Sequence, residues 1–321
     1  MNFYLKTFVD VLSVTIPIFA VVAIGYLFRR RGIISDRAVP ALNKIAYYLG
    51  LTTLIFTSIV KYDLKEIFNI GIVKILYTTF AIFIVIVFIS VYFLKVRRKT
   101  KGAIAISSFR CNMAFVGIPI IISAFGDIAG AKTSIIIGFM TPVNIIFAII
   151  FLKILGGQDN ERKNYGRFFL SFLKDPLLIA AIAGILISYF SIPLPKVLLE
   201  LLNMLAGLAI PLALITIGAS FRISHIKLNL KFLILAIVLK LVAEPLIAFF
   251  IGKYVYAIDP VDISITVILF GMPLAVAAYI MGKEYDSDSD FISSALILST
   301  IASALTITLW LFFLKVFFRI I

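Results

Sequence analysis

The chain has 321 residues, of which 62% are hydrophobic and 14% charged, and its mean hydropathy is +1.14. Soluble domains carry roughly 25% charged residues, and soluble cores stop growing near ~250–300 residues, so the bilayer is the expected solvent. The net charge is +14, but the bases sit in short gaps between apolar runs, as in Arg29-Arg30-Arg31 and from Lys95 to Lys101. That is the pattern of cytoplasmic loops, and it argues against a nucleic-acid face. One Cys and one His exclude an intrachain disulfide and leave no zinc-type spacing.

A helix needs roughly 20 mostly apolar residues to cross a bilayer. The runs between charge clusters predict ten spans, near 7–28, 38–60, 67–94, 103–125, 129–155, 169–191, 197–220, 230–256, 261–283 and 289–318. The runs are too long, and alternate too little, for barrel strands. Lys6 alone precedes the first run and three Arg follow it, the reverse of a cleavable signal peptide. The segments 29–37, 95–101, 153–174 and 222–231 concentrate the bases, which predicts both termini outside.

The two halves match at nearly one offset. Pro17 to Gly25 resembles Pro176 to Gly184, and Leu42, Asn43, Ala46, Leu54 and Ile55 match Leu202, Asn203, Ala206, Leu214 and Ile215. Gly117-Ile118-Pro119 in the fourth span matches Gly271-Met272-Pro273 in the ninth. Two inverted five-helix repeats are therefore expected, 1–157 and 169–321, with a cytoplasmic linker at 158–168. Inverted repeats are a device of secondary carriers.

The two Gly-x-Pro sites predict helix breaks, because proline removes a backbone donor and glycine loosens the chain. Breaks at matching places point to a binding site whose half-helix amides suit an anion. Arg110 and Asn112 lie just before the first expected break. An Arg inside a span costs ~2.5–3.5 kcal/mol on the translocon scale. Either it faces substrate, where a guanidinium suits a carboxylate, or it reaches back to the cytoplasmic surface.

In the eighth span Lys240 and Glu244 share a helix face. They read as a coupling site or as a neutralised structural pair, and Pro245 is expected to bend the helix there. Asn144, after Pro142 in the fifth span, is a candidate support for the first break or for a cation. The Asp286-Ser-Asp288-Ser-Asp290 run lacks a calcium-loop pattern and reads as a turn and helix cap. His225 is expected to be exposed in a basic loop, Cys111 to pack between helices, and Trp310, Tyr254 and Tyr256 to anchor at the membrane interface.

The stretch from Phe109 through Arg110-Cys111-Asn112 to Pro119 resembles the fourth-helix signature of the auxin efflux carrier family, which includes plant auxin exporters and bacterial malate or malonate permeases. Pro211 to Ser220, Gly271 to Tyr279 and Ser293 to Thr300 resemble its seventh-, ninth- and last-helix motifs. The resemblance implies an all-α fold of ten helices. Spans 1, 2, 6 and 7 would form a scaffold, and spans 3–5 and 8–10 a transport domain with two crossing, broken helices. It further implies a small organic anion as substrate, bound near Arg110, Asn112, Met113, Ala114, Gly117 and Pro119 of the fourth span. From the ninth, Gly271, Met272, Pro273, Ala275, Val276 and Ala277 would face it. Met113 and Ala277 depart from the pattern by being less polar.

No cofactor is expected; the resemblance implies coupling to H+ or Na+, or a potential-driven cycle. The expected partners are the anion and the lipid bilayer, not nucleic acid, with a homodimer as a candidate assembly in the cell membrane. The alternative reading is a membrane-embedded receptor or sensor that binds without translocating. An enzyme is not expected, because no nucleophile, base and metal set clusters in the sequence.

Overall fold

The structure is a computed structural model that describes residues 3–156, 174–221 and 230–320. The expected 158–168 linker and His225 lie outside the described residues. Lipid offers no partner to backbone N–H and C=O groups, so a chain this apolar must close its hydrogen bonds within helices. Among the described residues the regular structure is helical, with one isolated antiparallel bridge, Cys111 to Leu274.

In chain order the helices are α1 Phe3–Arg30, α2 Ala38–Ile45, α3 Thr52–Val60, α4 Leu64–Ile67, α5 Ile70–Tyr92 and α6 Arg98–Phe109. Then come α7 Ile118–Phe125, α8 Asp127–Ile154, α9 Pro176–Tyr189, α10 Lys196–Ala206 and α11 Ala209–Ala219. The last are α12 Leu230–Val238, α13 Glu244–Phe250, α14 Pro260–Phe270, α15 Val276–Glu284 and α16 Ser289–Phe318. π-helical turns at Ala46–Leu51, Met113–Gly117, Leu239–Ala243 and Ile251–Tyr256 join several of them. Among the described residues six helical stretches are long and apolar enough to cross a membrane: Phe3–Arg30, Ile70–Tyr92, Asp127–Ile154, Lys196–Ala219, Leu230–Tyr256 and Ser289–Phe318.

Aspartates start several of these helices. Asp175 accepts from the amides of Leu177 and Leu178 at 3.0 and 3.1 Å, and Asp259 accepts from Val261 and Asp262 at 2.9 and 3.3 Å. Each is followed by proline, whose missing N–H is harmless in a first turn. Asp288 caps α16 through the Phe291 amide at 3.1 Å, and Asp286 pairs with Lys99, so the acidic run is a turn and a cap.

The chain divides into two compact units. Among the described residues one comprises 3–70, 114–141 and 174–221, and the other 71–113, 142–156 and 230–320. In the first unit α1 packs along α11. A Cβ on Gly25 would lie 2.1 Å from the Ile215 carbonyl oxygen, and one on Gly218 would lie 1.8 Å from that of Val22. Only glycine allows this backbone approach, the usual way helices pack where lipid removes the hydrophobic drive. Arg29 closes the end of α11 by donating to the Ala219 carbonyl at 2.5 Å, and it pairs with Asp36.

In the second unit the helix from Leu230 to Tyr256 carries a π-turn at Leu239–Ala243, directly before Pro245. Proline cannot donate to the carbonyl four residues earlier, which is that of Leu241. Trp310 of α16 donates its indole N–H to that carbonyl at 3.0 Å. Trp310 thereby supplies the missing donor, because an indole N–H is held by an unmet acceptor.

The fourth and ninth expected spans are each interrupted, but the first interruption differs from expectation. Helix α6 ends at Phe109, and the chain runs through Arg110–Asn112 before helical structure resumes at Met113. The Gly117–Pro119 segment is helical, with Gly117 at φ −65° and ψ −50° and Pro119 in the first turn of α7. The proline follows directly on the π-helical turn Met113–Gly117, and the helical stretch Met113–Phe125 continues through it without a break. The second interruption falls where expected, between Phe270 and Val276.

Candidate functional site

The two interruptions meet within the second unit. Arg110 is extended at φ −70° and ψ 95°. The Asn112 amide donates to the Pro273 carbonyl at 2.9 Å, and the Ala275 amide donates to the Arg110 carbonyl at 2.9 Å. These bonds flank the Cys111–Leu274 bridge, so the two pieces run antiparallel, side by side. The Leu274 amide donates to Ser299 Oγ of α16 at 3.2 Å. Backbone groups released by the broken helices thus find partners in each other and in one hydroxyl, as a buried backbone requires.

The site is buried: Arg110 is 9% exposed, Asn112 5%, Ala275 8% and Met272 fully enclosed. Arg110 therefore sits inside the protein and does not reach back to a surface. The following helix, α15, begins after Ala275 with no side-chain cap. Its first amides and the positive end of its dipole remain available to an acceptor. Ala277 is exposed and Val276 half-buried in that first turn.

Lys240 and Glu244 are completely buried and paired. The Lys240 ammonium also donates to the Phe270 carbonyl, the last residue of α14, at 2.8 Å, and contacts Cys111 Sγ at 2.7 Å. An ammonium has three N–H donors, and these three partners use them. The Cys111 thiol in turn faces the Phe109 carbonyl at 3.4 Å, Glu244 Oε2 at 3.7 Å and the Phe270 carbonyl at 3.8 Å. One charged pair therefore touches both broken segments: the first through Cys111, the second through the end of α14.

The structure brings Arg110, Asn112, Gly271, Met272, Pro273, Ala275, Lys240 and Glu244 into the second unit with Met113. Asn144, 5% exposed on α8, belongs to it too. Ala114, Gly117 and Pro119 belong to the first unit, the last two buried at the start of α7. Sequence reasoning missed the parts of Cys111, Phe270 and Ser299. Cys111 had a signal, since it stands between Arg110 and Asn112 in an otherwise apolar run. A backbone carbonyl such as that of Phe270 has none. Among the described residues no group of three or more His, Cys, Asp or Glu could hold a metal ion.

Several helices long and apolar enough to cross a membrane define a multi-pass membrane protein. A model described as membrane transport protein matches residues 10–311, and the chain belongs to that family, the auxin efflux carrier family its motifs resemble. It is 25% identical over 304 residues to an uncharacterized transporter of Methanothermobacter thermautotrophicus, covering 92% of this chain and 95% of that protein. An uncharacterized transporter of Methanocaldococcus jannaschii is also 25% identical, covering 93% and 97%. A protein of Rhizobium meliloti named "Putative malonate transporter" is 22% identical, covering 95% and 96%. The family and these relatives are transporters and not enzymes, so the chain's substrate is a small molecule and its surroundings are the bilayer.

Proposed function

We propose that the chain is a secondary carrier of a small organic anion working by alternating access. The observation that carries this reading is the pairing of 110–112 with 273–275 beside the uncapped start of α15. Buried amides and a buried Arg110 form a cradle suited to a carboxylate. In this reading the helices arrange as ten spans in two inverted repeats with both termini outside. Arg110–Asn112 and 270–272 then lie 160 residues apart, in register with the Leu42–Leu202 match. Spans 1, 2, 6 and 7 serve as scaffold, and spans 3–5 and 8–10 carry the substrate, with a homodimer as the assembly.

The relative named for malonate supports a short dicarboxylate as the first cargo to test. Purified protein in liposomes is expected to take up radiolabelled malonate. Arg110→Ala is expected to lower uptake roughly tenfold or more, and Arg110→Lys not to restore it, because lysine lacks the two-pronged geometry. Normal uptake by Arg110→Ala removes Arg110 from the site. An absence of uptake and of thermal stabilisation across carboxylates and indole acids removes the anion reading.

A further inference from the structure

Interrupted membrane helices create cation sites as well as anion sites. The carbonyls at the C-terminal end of a half-helix carry partial negative charge, and in carriers such ends coordinate the coupling ion. The end of α14 is such a place. Its last carbonyl, at Phe270, lies in the buried interior beside the Glu244 carboxylate and the Cys111 sulfur. A carbonyl and a carboxylate facing one point are a donor set for a monovalent cation. That point is already taken by the Lys240 ammonium, 2.8 Å from the Phe270 carbonyl, 2.7 Å from Cys111 Sγ and paired with Glu244.

We propose that Lys240 is a tethered counter-cation: its ammonium fills, from within the chain, the cation site made by the end of α14, Glu244 and Cys111. This rests on the carrier reading above and extends it, because the transport cycle then requires no sodium ion at this site. Four features support it. Lys240 and Glu244 are both fully buried, so neither is a solvated surface charge. The pair is neutral as a unit, so a metal cation could bind only by displacing the ammonium. All three N–H donors are spent on groups from three different parts of the fold. An ordinary i,i+4 helix pair would instead leave two of them for water. The ammonium also joins Cys111 of the first interruption to Phe270 at the second, the mechanical task a bound cation would perform.

The test uses the purified full chain in liposomes at a clamped membrane potential, with choline, sodium or methylammonium as the bulk cation. Wild-type uptake of radiolabelled malonate is expected to be equal in choline and sodium. A rise of roughly tenfold or more on adding sodium overturns the proposal. Lys240→Ala is expected to lose roughly tenfold or more in choline, as when one partner of a buried charge pair is removed. It is expected to recover saturably with methylammonium, which restores the missing tip, or with sodium. Wild-type uptake by Lys240→Ala in choline overturns the proposal.

Melting temperature in detergent, read without substrate, separates this proposal from the carrier reading. Lys240→Ala is expected to melt lower than wild type and to rise with methylammonium or sodium, while wild type responds to neither. A folded Lys240→Ala with no cation response overturns the tethered-cation proposal. Failure of wild type to move any dicarboxylate overturns only the carrier reading. Should Lys240→Ala not fold, Lys240→Met with Glu244→Gln removes both charges together. That protein is expected to be folded, slow and indifferent to cations, and wild-type uptake by it also overturns the proposal.

Discussion

Trp310 donates its indole N–H to the carbonyl of Leu241, 3.0 Å away, and Leu241 is the residue that Pro245 leaves without a helical donor. The two side chains are complementary errors: a proline that opens a hydrogen-bond vacancy and a tryptophan that closes it from another helix. Trp310→Phe is expected to cost about 1–3 kcal/mol through the unsatisfied carbonyl, read as a lower melting temperature in detergent. Adding Pro245→Ala restores an amide, so the double variant is expected to recover most of that loss. Strict additivity of the two changes would show that they are independent.

The glycines at the α1–α11 contact are expected to be intolerant of even a methyl group. Gly218→Ala places a Cβ 1.8 Å from the Val22 oxygen, a clash with backbone that no rotamer relieves. Overpacking typically costs ~1–3 kcal/mol and more where nothing can yield, so Gly218→Ala is expected to lose its monodisperse peak in size-exclusion chromatography. Gly271→Ala is the control. Its nearest atom would be the Val267 oxygen at 3.4 Å, an ordinary contact, and its φ of −79° suits any residue. It is expected to purify as wild type does.

Ser299 Oγ is the acceptor for the Leu274 amide. Ser299→Ala leaves that buried amide without its hydroxyl, at a cost of about 1–3 kcal/mol. The expected signature is faster hydrogen exchange confined to 272–276, measured by mass spectrometry. Unchanged exchange there would show that the hydroxyl does not hold the segment.

The Lys61–Asp127 ion pair, 3.2 Å apart in the first unit, joins the residue after α3 to the first residue of α8. The hydrogen bond that the Lys61 ammonium donates to Asp127 holds it above its ordinary value of 10.5. A raised folded value means that the stabilisation is fully present below pH 10.5 and fades as pH rises through the folded value. Both groups are well exposed, and such pairs contribute ~0–1 kcal/mol. Wild type and Lys61→Ala are therefore expected to differ slightly in melting temperature at neutral pH and to converge as pH rises through the folded value. A gap that widens with alkali would refute the assignment.

Much of the helix layout was legible because apolar runs bounded by charges have one solution in lipid. The run expected at 38–60 is helical over Ala38–Val60 through its π-turn, and that expected at 7–28 extends to Phe3–Arg30. The second interruption was legible from Gly271 and Pro273. The first was misplaced by seven residues, because Pro119 looked like a breaker and the helical stretch Met113–Phe125 runs through it. The segment that does break, Arg110–Asn112, contains neither Gly nor Pro. Its signal was polarity: three groups able to hydrogen-bond, consecutive in an apolar run. The Lys240–Glu244 pair could be read from its spacing. Its attachment to Cys111 and Phe270 could not, since contacts 129 and 30 residues apart in sequence arise only on folding.

The reciprocal bonds between Arg110 and Ala275 and between Asn112 and Pro273 have a consequence for how such a chain can diverge. A substitution that shifts one interruption by a single residue would strand amides in the other. Drift toward a new cargo must therefore proceed through side chains on a shared frame, or through compensating changes made together in both halves. Laboratory evolution of cargo preference should accordingly keep the length of both interruptions, with an insertion or deletion in one recovered only beside its counterpart in the other.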